Sequence, residues 1–270
     1  MSADEPTTSS DLPHIDVSVP SPARIYDYWL GGSHNFAVDR EVGQRAAAAM
    51  PTLRAAIWAN RAFLRRVVTH LATDYGINQF LDLGSGVPTV GNVHEVAQAA
   101  NPAARVVYVD IDPVAVAHGR RLLADDDQTT VIRADLRQPD DVLGRRELTD
   151  VLDLTQPVAV LMIAVLHFLP DTDRPRDIVR TYHERIVPGS FVALSHAADD
   201  EDLPGEQADM ITDYRRSTQS PFVHREPDVL ARWLDGMALV PPGIVLTNQW
   251  RPVEEAKRIL RTYGVLARKR

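Results

Sequence analysis

The sequence contains no cysteine. That removes disulfides, thiol nucleophiles and Cys-ligated zinc together, and leaves the redox compartment unread. Lysine is nearly missing as well: only Lys257 and Lys269 occur, so 27 of the 29 basic residues are arginine, a bias that suggests a GC-rich bacterial genome. Positive charge is in deficit, with 37 acidic residues, a net charge of −8 and a pI near 5.6. Broad electrostatic binding to nucleic acid or an anionic membrane is therefore not expected. The one basic run, Arg268 to Arg270, reads as a solvated end. No apolar stretch exceeds Val158–Leu166, which is far short of a bilayer span. The segment Ser2–Asp11 is polar and acidic, unlike a signal peptide, so the expected compartment is the cytoplasm. Several enzymatic signatures are missing too. His94-Glu95 would begin a zinc-protease motif, but Gln98 stands where its second histidine belongs, and neither a G-x-S-x-G elbow nor a P-loop occurs. The acidic run Asp199–Asp202 reads as a solvated loop before a cation site, and no metal is expected.

What is present is organised in three parts. Residues 1–20 are rich in Ser, Thr, Asp and Pro without apolar periodicity, which predicts a disordered tail. Residues 21–76 carry helical periodicity interrupted at Gly31-Gly32 and at Pro51, which predicts three or four short helices. Residues 77–270 alternate apolar runs with helical stretches. The runs 79–84, 105–110, 129–134, 157–164 and 190–196 are nearly continuous in apolar character, as strands covered on both faces are. Asn92 with Glu95, Asp112 with Pro113, and Asp173 with Pro175 mark helix starts. A polar segment, 197–220, a helix near 228–237 and two further strands, 243–247 and 263–268, complete the chain. The expectation is an α/β fold: a Rossmann-like, seven-stranded, mostly parallel sheet ending in an antiparallel pair, behind an N-terminal helical segment.

The sharpest local signal is the stretch from Phe80 to Thr89, an apolar strand running into Gly84 and Gly86. In a doubly wound sheet this is the turn after the first strand, where a missing Cβ lets a ligand approach the backbone. The second strand ends in Asp110, suited to both hydroxyls of a ribose, and the third is followed by Asp135, suited to an adenine amino group. A dinucleotide loop wants a third glycine facing the phosphates, but Thr89 stands there behind Pro88. Asp82 just before the loop would repel a diphosphate and suits the amino acid end of S-adenosylmethionine. A nicotinamide oxidoreductase is disfavoured on the same ground.

The phrases Ala23-Arg-Ile-Tyr-Asp-Tyr-Trp-Leu-Gly-Gly32, Asn60-Arg-Ala-Phe63, Gln79 to Thr89, Gly91-Asn-Val-His-Glu95, Val106 to Asp110, Leu166-His-Phe168 and Ser195-His196 closely resemble a bacterial family of S-adenosylmethionine-dependent methyltransferase-like proteins of undefined substrate. The likeness runs from Pro22 to Lys269, more weakly over 247–262. It implies the class I methyltransferase fold and S-adenosylmethionine, with S-adenosylhomocysteine as product. The candidate cofactor residues are Asp82, Gly84, Ser85, Gly86, Asp110, Ile111, Asp135, Leu136 and Ala164. His167, after the fourth strand, is the candidate catalytic base, although a purely structural histidine fits the same position. Arg24, Tyr26, Tyr28, His34, Asn35, Phe36 and Arg61 form a candidate lid and substrate set, unless the N-terminal helix merely docks its aromatic face on the domain. The expected activity is methyl transfer to a small or medium-sized molecule. The alternative is a degenerate protein that binds S-adenosylmethionine or S-adenosylhomocysteine and acts as a sensor.

Overall fold

The computed structural model describes residues 16–89, 91–199, 205–253 and 259–270. Most of the expected tail, and most of the 199–202 acidic run, lie outside the described residues. Three helices come first: α1 (Pro22–Trp29), α2 (Ala37–Ala49) and α3 (Leu53–Asp74). The last is one 22-residue helix where short pieces were expected. Then follow β1 (Gln79–Leu83), α4 (Val93–Ala100), β2 (Arg105–Asp110), α5 (Pro113–Leu122), β3 (Thr129–Arg133), α6 (Pro139–Leu143), α7 (Arg146–Thr149), β4 (Ala159–Ile163), α8 (Pro175–Arg185) and β5 (Phe191–Ala197). The chain ends with α9 (Gly205–Thr218), α10 (Pro227–Trp233), β6 (Met237–Leu239), β7 (Val245–Leu246) and β8 (Thr262–Lys269).

The sheet runs β3-β2-β1-β4-β5-β8-β6, with β7 also paired to β8. The first five strands are parallel, and β8 is antiparallel to β5, β6 and β7. Alternate residues of each strand feed opposite layers, as the two-residue period of a strand requires. Phe80, Val106, Ala159, Phe191 and Leu266 face α3, α4 and α5, while Leu81, Val107, Val160, Val192 and Val265 face α6, α7, α8 and α10. Ile178, Val179 and Tyr182 form the buried face of α8.

The structure corrects four expectations. Among the described residues the sheet has eight strands where seven were expected: Met237, expected to end a helix, instead opens β6. β6 and β7 share one edge of β8 in registers offset by three residues, interrupted around Pro241-Pro242, which have no N–H to give the ladder. The polar segment 197–220 contains the 14-residue helix α9. Asp173 does not cap α8; Arg174 holds that position, and the Asp173 carboxylate pairs with Arg137 at 3.1 Å. Lys269, expected to be solvated, donates from Nζ to the carbonyls of His183 and Ile186 at 2.9 and 2.8 Å, satisfying the last turn of α8.

Asp112 does cap α5, accepting from the N–H groups of Val114 and Ala115 at 2.8 and 3.2 Å. The N–H of Asn92 donates to Glu95 at 2.9 Å at the start of α4. The end of α1 is a Schellman turn: Gly31 at φ +83° donates to Tyr28, and Gly32 donates to Asp27, at 3.1 and 2.9 Å. No described helix is long and apolar enough to cross a membrane.

Candidate active site

The carboxyl ends of β1, β2, β3 and β4 open on one cavity of about 610 Å³. All nine candidate cofactor residues border it: Asp82, Gly84, Ser85, Gly86, Asp110, Ile111, Asp135, Leu136 and Ala164. Parallel strands force this convergence, because the turns that leave their carboxyl ends lie side by side.

The two glycines of the loop act differently. Gly84 has φ +71°, and a Cβ there would lie 2.2 Å from Cγ2 of Val165, so packing demands the hydrogen atom. Gly86 has φ +67°, and a Cβ there would meet nothing within 4 Å, so that space belongs to the cavity. The N–H of Gly86 donates to Oδ2 of Asp110 at 2.7 Å, while Asp112 N–H donates to its Oδ1 at 2.8 Å. These bonds aim the Asp110 carboxylate and leave lone pairs free for hydroxyls. Burial pushes its carboxyl up to about 6, against the pull of the backbone bonds from Asp112, Gly86 and Ile111. Beside it Ile111 keeps 59% of its surface exposed, an apolar side chain held at the cavity wall.

Asp82 is pushed up to about 7, chiefly by burial, with Arg61 opposing and Asp110 reinforcing the shift. Asp135 is partly committed elsewhere: Nε of Arg137 donates to it at 2.9 Å, and that partner holds its carboxyl below the usual range although burial pushes the other way. Ala164 adopts φ +55°, held where its N–H donates to Ser195 Oγ at 3.0 Å.

The lid candidates divide. Tyr26 and Arg61 line the cavity. The Tyr26 hydroxyl accepts from Asn60 Nδ2 at 2.9 Å, and its ring lies under the Arg61 guanidinium at 5.9 Å. Burial raises the Tyr26 phenol, with Arg61 and Asn60 pulling it back. Arg24, Tyr28, His34, Asn35 and Phe36 stand behind the wall. Arg24 is spent on Asp39 at 2.9 Å and Asp112 at 3.5 Å. Tyr28 receives Arg54 at 3.2 Å. The ring of His34 lies 3.4 Å from that of His118, and Phe36 packs under Arg24. Asn35 donates to Asp27 Oδ2 at 2.7 Å.

His167 borders the cavity and is buried, between Phe168 and Phe222 at 4.4 and 4.6 Å. Its Nδ1 is buried without a partner. Burial above all, then the neighbouring His196, His224 and Arg225, drives its basicity well below the ordinary value, so the ring is neutral near pH 7.

Three buried polar links escaped the sequence reading. Asp27, 1% exposed, accepts from His34 N–H and Asn35 on one oxygen and from Thr89 Oγ1 at 2.8 Å on the other, tying α1 to the glycine loop. Ser21 Oγ and Arg24 tie the same helix to Asp112. Ser195 Oγ donates to Asn60 Oδ1 at 2.6 Å, so one asparagine joins β5 to Tyr26. A polar residue inside an apolar helical run, as Asn60 is, was the available signal. Helix α9 and the residues after it were missed entirely, yet Ile211, Tyr214 and Phe222 close the cavity.

A parallel sheet with an antiparallel strand inserted beside β5, three carboxylates at the ends of its first three strands, and a glycine loop without a phosphate-facing third glycine together define a class I S-adenosylmethionine-dependent methyltransferase. The chain belongs to the family described as S-adenosyl methyltransferase, whose sequence profile it matches over residues 8–270. It is similar to the crystal structure of a candidate methyltransferase from Thermobifida fusca YX: 38% identity, 96% of this chain and 98% of that one covered, TM-score 0.89. It is equally similar to a DUF574 family protein from Streptomyces avermitilis MA-4680, with 38% identity, coverage of 95% and 100%, and a TM-score of 0.90. No functionally curated protein matches it in sequence.

Proposed function

We propose that the cavity holds S-adenosylmethionine along the sheet edge and a small-molecule acceptor under the helical cover, and that the protein works in the cytoplasm, where this cofactor is made. Bound there, the cofactor supplies a methyl group on a sulfonium centre. Asp110, aimed by Gly86 and Asp112, holds the ribose hydroxyls; Ile111 and Leu136 flank the adenine, with Asp135 toward its amino group. Asp82, Gly84, Ser85, Gly86 and Ala164 surround the amino acid end. The cover, drawn from residues 21–76 and from α9, shuts the acceptor in and excludes water, so positioning supplies much of the rate. The neutral imidazole of His167 takes the acceptor's proton. Its low basicity is no obstacle, because an acceptor atom that has just gained a methyl group is a strong acid.

The observation that carries this reading is the Asp110 carboxylate, buried, aimed by two backbone N–H groups and set on the wall of the cavity. Asp110→Ala should weaken S-adenosylhomocysteine binding by about 1.5–3 kcal/mol, measured by calorimetry on protein whose circular dichroism matches the parent. Unchanged affinity would remove Asp110 from the site. A sensor that binds without turnover draws no support from the cover, since a sensing site has no need of a second, apolar chamber.

A further inference from the structure

The chamber beneath the cover has a consistent chemistry. Trp29 stacks on Tyr214 with ring centres 6.2 Å apart and planes within 22°. Tyr214 meets Phe222 at 5.9 Å, Phe222 meets Phe168 at 5.6 Å, and both phenylalanines meet His167. Five rings from four separate stretches of chain thus form one continuous surface, and every one of them borders the cavity. Apolar wall facing rings in this way favours a flat apolar guest, which gains from offset stacking and edge contacts.

The charged groups on the wall are otherwise engaged. Asp82, Asp110, Asp112, Asp135 and Asp173 belong to the loops of the sheet edge. Arg137 pairs with Asp135 and Asp173. Among the described residues Arg61 forms no ion pair and leaves Nε without a partner, but it acts on Asp82 and Tyr26, at the end of the cavity assigned to the amino acid group of the cofactor. Arg261 donates to Glu226 and to the Tyr263 hydroxyl at 3.0 and 2.6 Å. His224 pairs with Asp199 at 2.6 Å, and burial pulls its basicity down. A charged acceptor entering among the rings would lose its hydration and meet no counter-charge there, since Arg61, the one uncommitted cation on the described wall, stands beside Asp82 and Tyr26 and not among the rings. What the ring surface does offer, besides the Tyr214 phenol, is the imidazole of His167, which borders the cavity and is kept neutral by burial.

We propose that the acceptor is a neutral aromatic hydroxyl compound, its ring laid against Trp29, Tyr214, Phe222 and Phe168 and its hydroxyl directed to His167. This rests on the methyltransferase reading. In the reaction the C–S bond of the cofactor breaks with its electron pair going to sulfur. The hydroxyl oxygen bonds the methyl carbon through a lone pair, and its proton passes to His167. The products are a methyl ether and S-adenosylhomocysteine.

The test uses three probes of one shape and three charges, 2-naphthol, 2-naphthoate and 2-naphthylmethylamine, titrated into the full-length protein saturated with S-adenosylhomocysteine, with tryptophan fluorescence and thermal shift as readouts. The neutral probe should bind at least tenfold more tightly than either ion. Phe222→Ala should weaken it about tenfold or more while S-adenosylhomocysteine affinity stays within about twofold. Tighter binding of the cation or the anion, or no binding of any probe to the loaded protein, overturns the proposal and leaves the cofactor site standing. Failure of S-adenosylhomocysteine itself to bind would instead overturn the reading beneath it.

Discussion

The sheet edge and the helical cover share one cavity but are built by opposite means. The edge is local: each loop follows its own strand by one or two residues, and its carboxylates are aimed by neighbouring backbone N–H groups. Asp110, for instance, is set by Gly86 and Asp112. The cover is assembled at long range. Ile25 and Trp29 of α1, Val42 and Ala46 of α2, and Met210 and Tyr214 of α9 meet in a small core of their own. Its two sides are fastened differently as well. The α1 side is anchored to the sheet domain by buried polar links through Asp27, Asp112 and Asn60. The α9 side rests on apolar contacts and on exposed ion pairing of Arg45 with Asp213 at 3.1 Å. The segment after α9 is tied down again, by Val223 N–H on the His167 carbonyl at 2.8 Å and by Arg225 on the Leu169 carbonyl and Asp171 at 2.8 and 2.7 Å, so among the described residues the cover is held least firmly along α9 itself.

Substitutions should separate the two regions by size of effect. The largest belongs to the edge. Gly84→Ala forces a Cβ into Val165 at a left-handed φ and should cost about 3 kcal/mol or more of stability, read by thermal or urea unfolding. Gly86→Ala meets only backbone strain of about 1 kcal/mol, yet should weaken S-adenosylhomocysteine binding measurably. If the two variants lose equal stability, the division of roles between these glycines fails.

Next comes the anchor. Asp27→Ala strands His34 N–H, Asn35 and Thr89 without their acceptor and should cost about 2–4 kcal/mol. Cofactor affinity should fall with it, because the glycine loop loses its tie to α1. Full affinity in a destabilised variant would show that the cover and the edge are uncoupled.

A smaller effect follows pH. Asp82 and Asp110 are raised to about 7 and about 6, so both carboxyls bind protons more tightly folded than unfolded. Their contribution to stability is present at low pH and is lost as pH rises through those values. With Asp82 at the amino acid end, as proposed, the ammonium group of a bound cofactor would reverse this by favouring the ionised carboxylate. The thermal shift produced by S-adenosylhomocysteine should therefore grow between about pH 5.5 and 8, and Asp82→Asn should flatten that growth. A shift independent of pH in the parent protein would remove Asp82 from the amino acid end. The smallest effect lies along α9, where Arg45→Ala should cost no more than about 1 kcal/mol, because an exposed pair is screened by solvent.

The same contrast governs what could be read from the sequence. The five parallel strands were legible to within two residues, since a buried strand announces itself as an apolar run between glycines and caps. So was the convergence of the loops after β1, β2 and β3 on one cavity, because the residues of each loop are contiguous in the chain. β6 was not, because three residues such as Met237, Ala238 and Leu239 continue the apolar pattern of the helix before them. α9 was hidden by its composition: the apolar residues it turns inward among those described are Met210, Ile211 and Tyr214, and their partners on α1 and α2 lie more than 150 residues earlier. The phrase around Tyr26 and Tyr28 was visible, but its key residue was not an aromatic. Asp27 holds the turn from Gly32 to Asn35 through a side-chain network, and no periodicity encodes that.

The place of β8 has a consequence for the order of synthesis. This strand lies between β5 on one side and β6 with β7 on the other. Residues 237–246 therefore leave the ribosome while the backbone they must pair with is still inside the exit tunnel, and the exposed edge of β5 waits as long. The parallel half of the sheet can close while translation proceeds, but the far edge is sealed only after residue 269 is free. Until then, the nascent chain carries an unpaired strand edge that a chaperone, or a second nascent copy, could occupy.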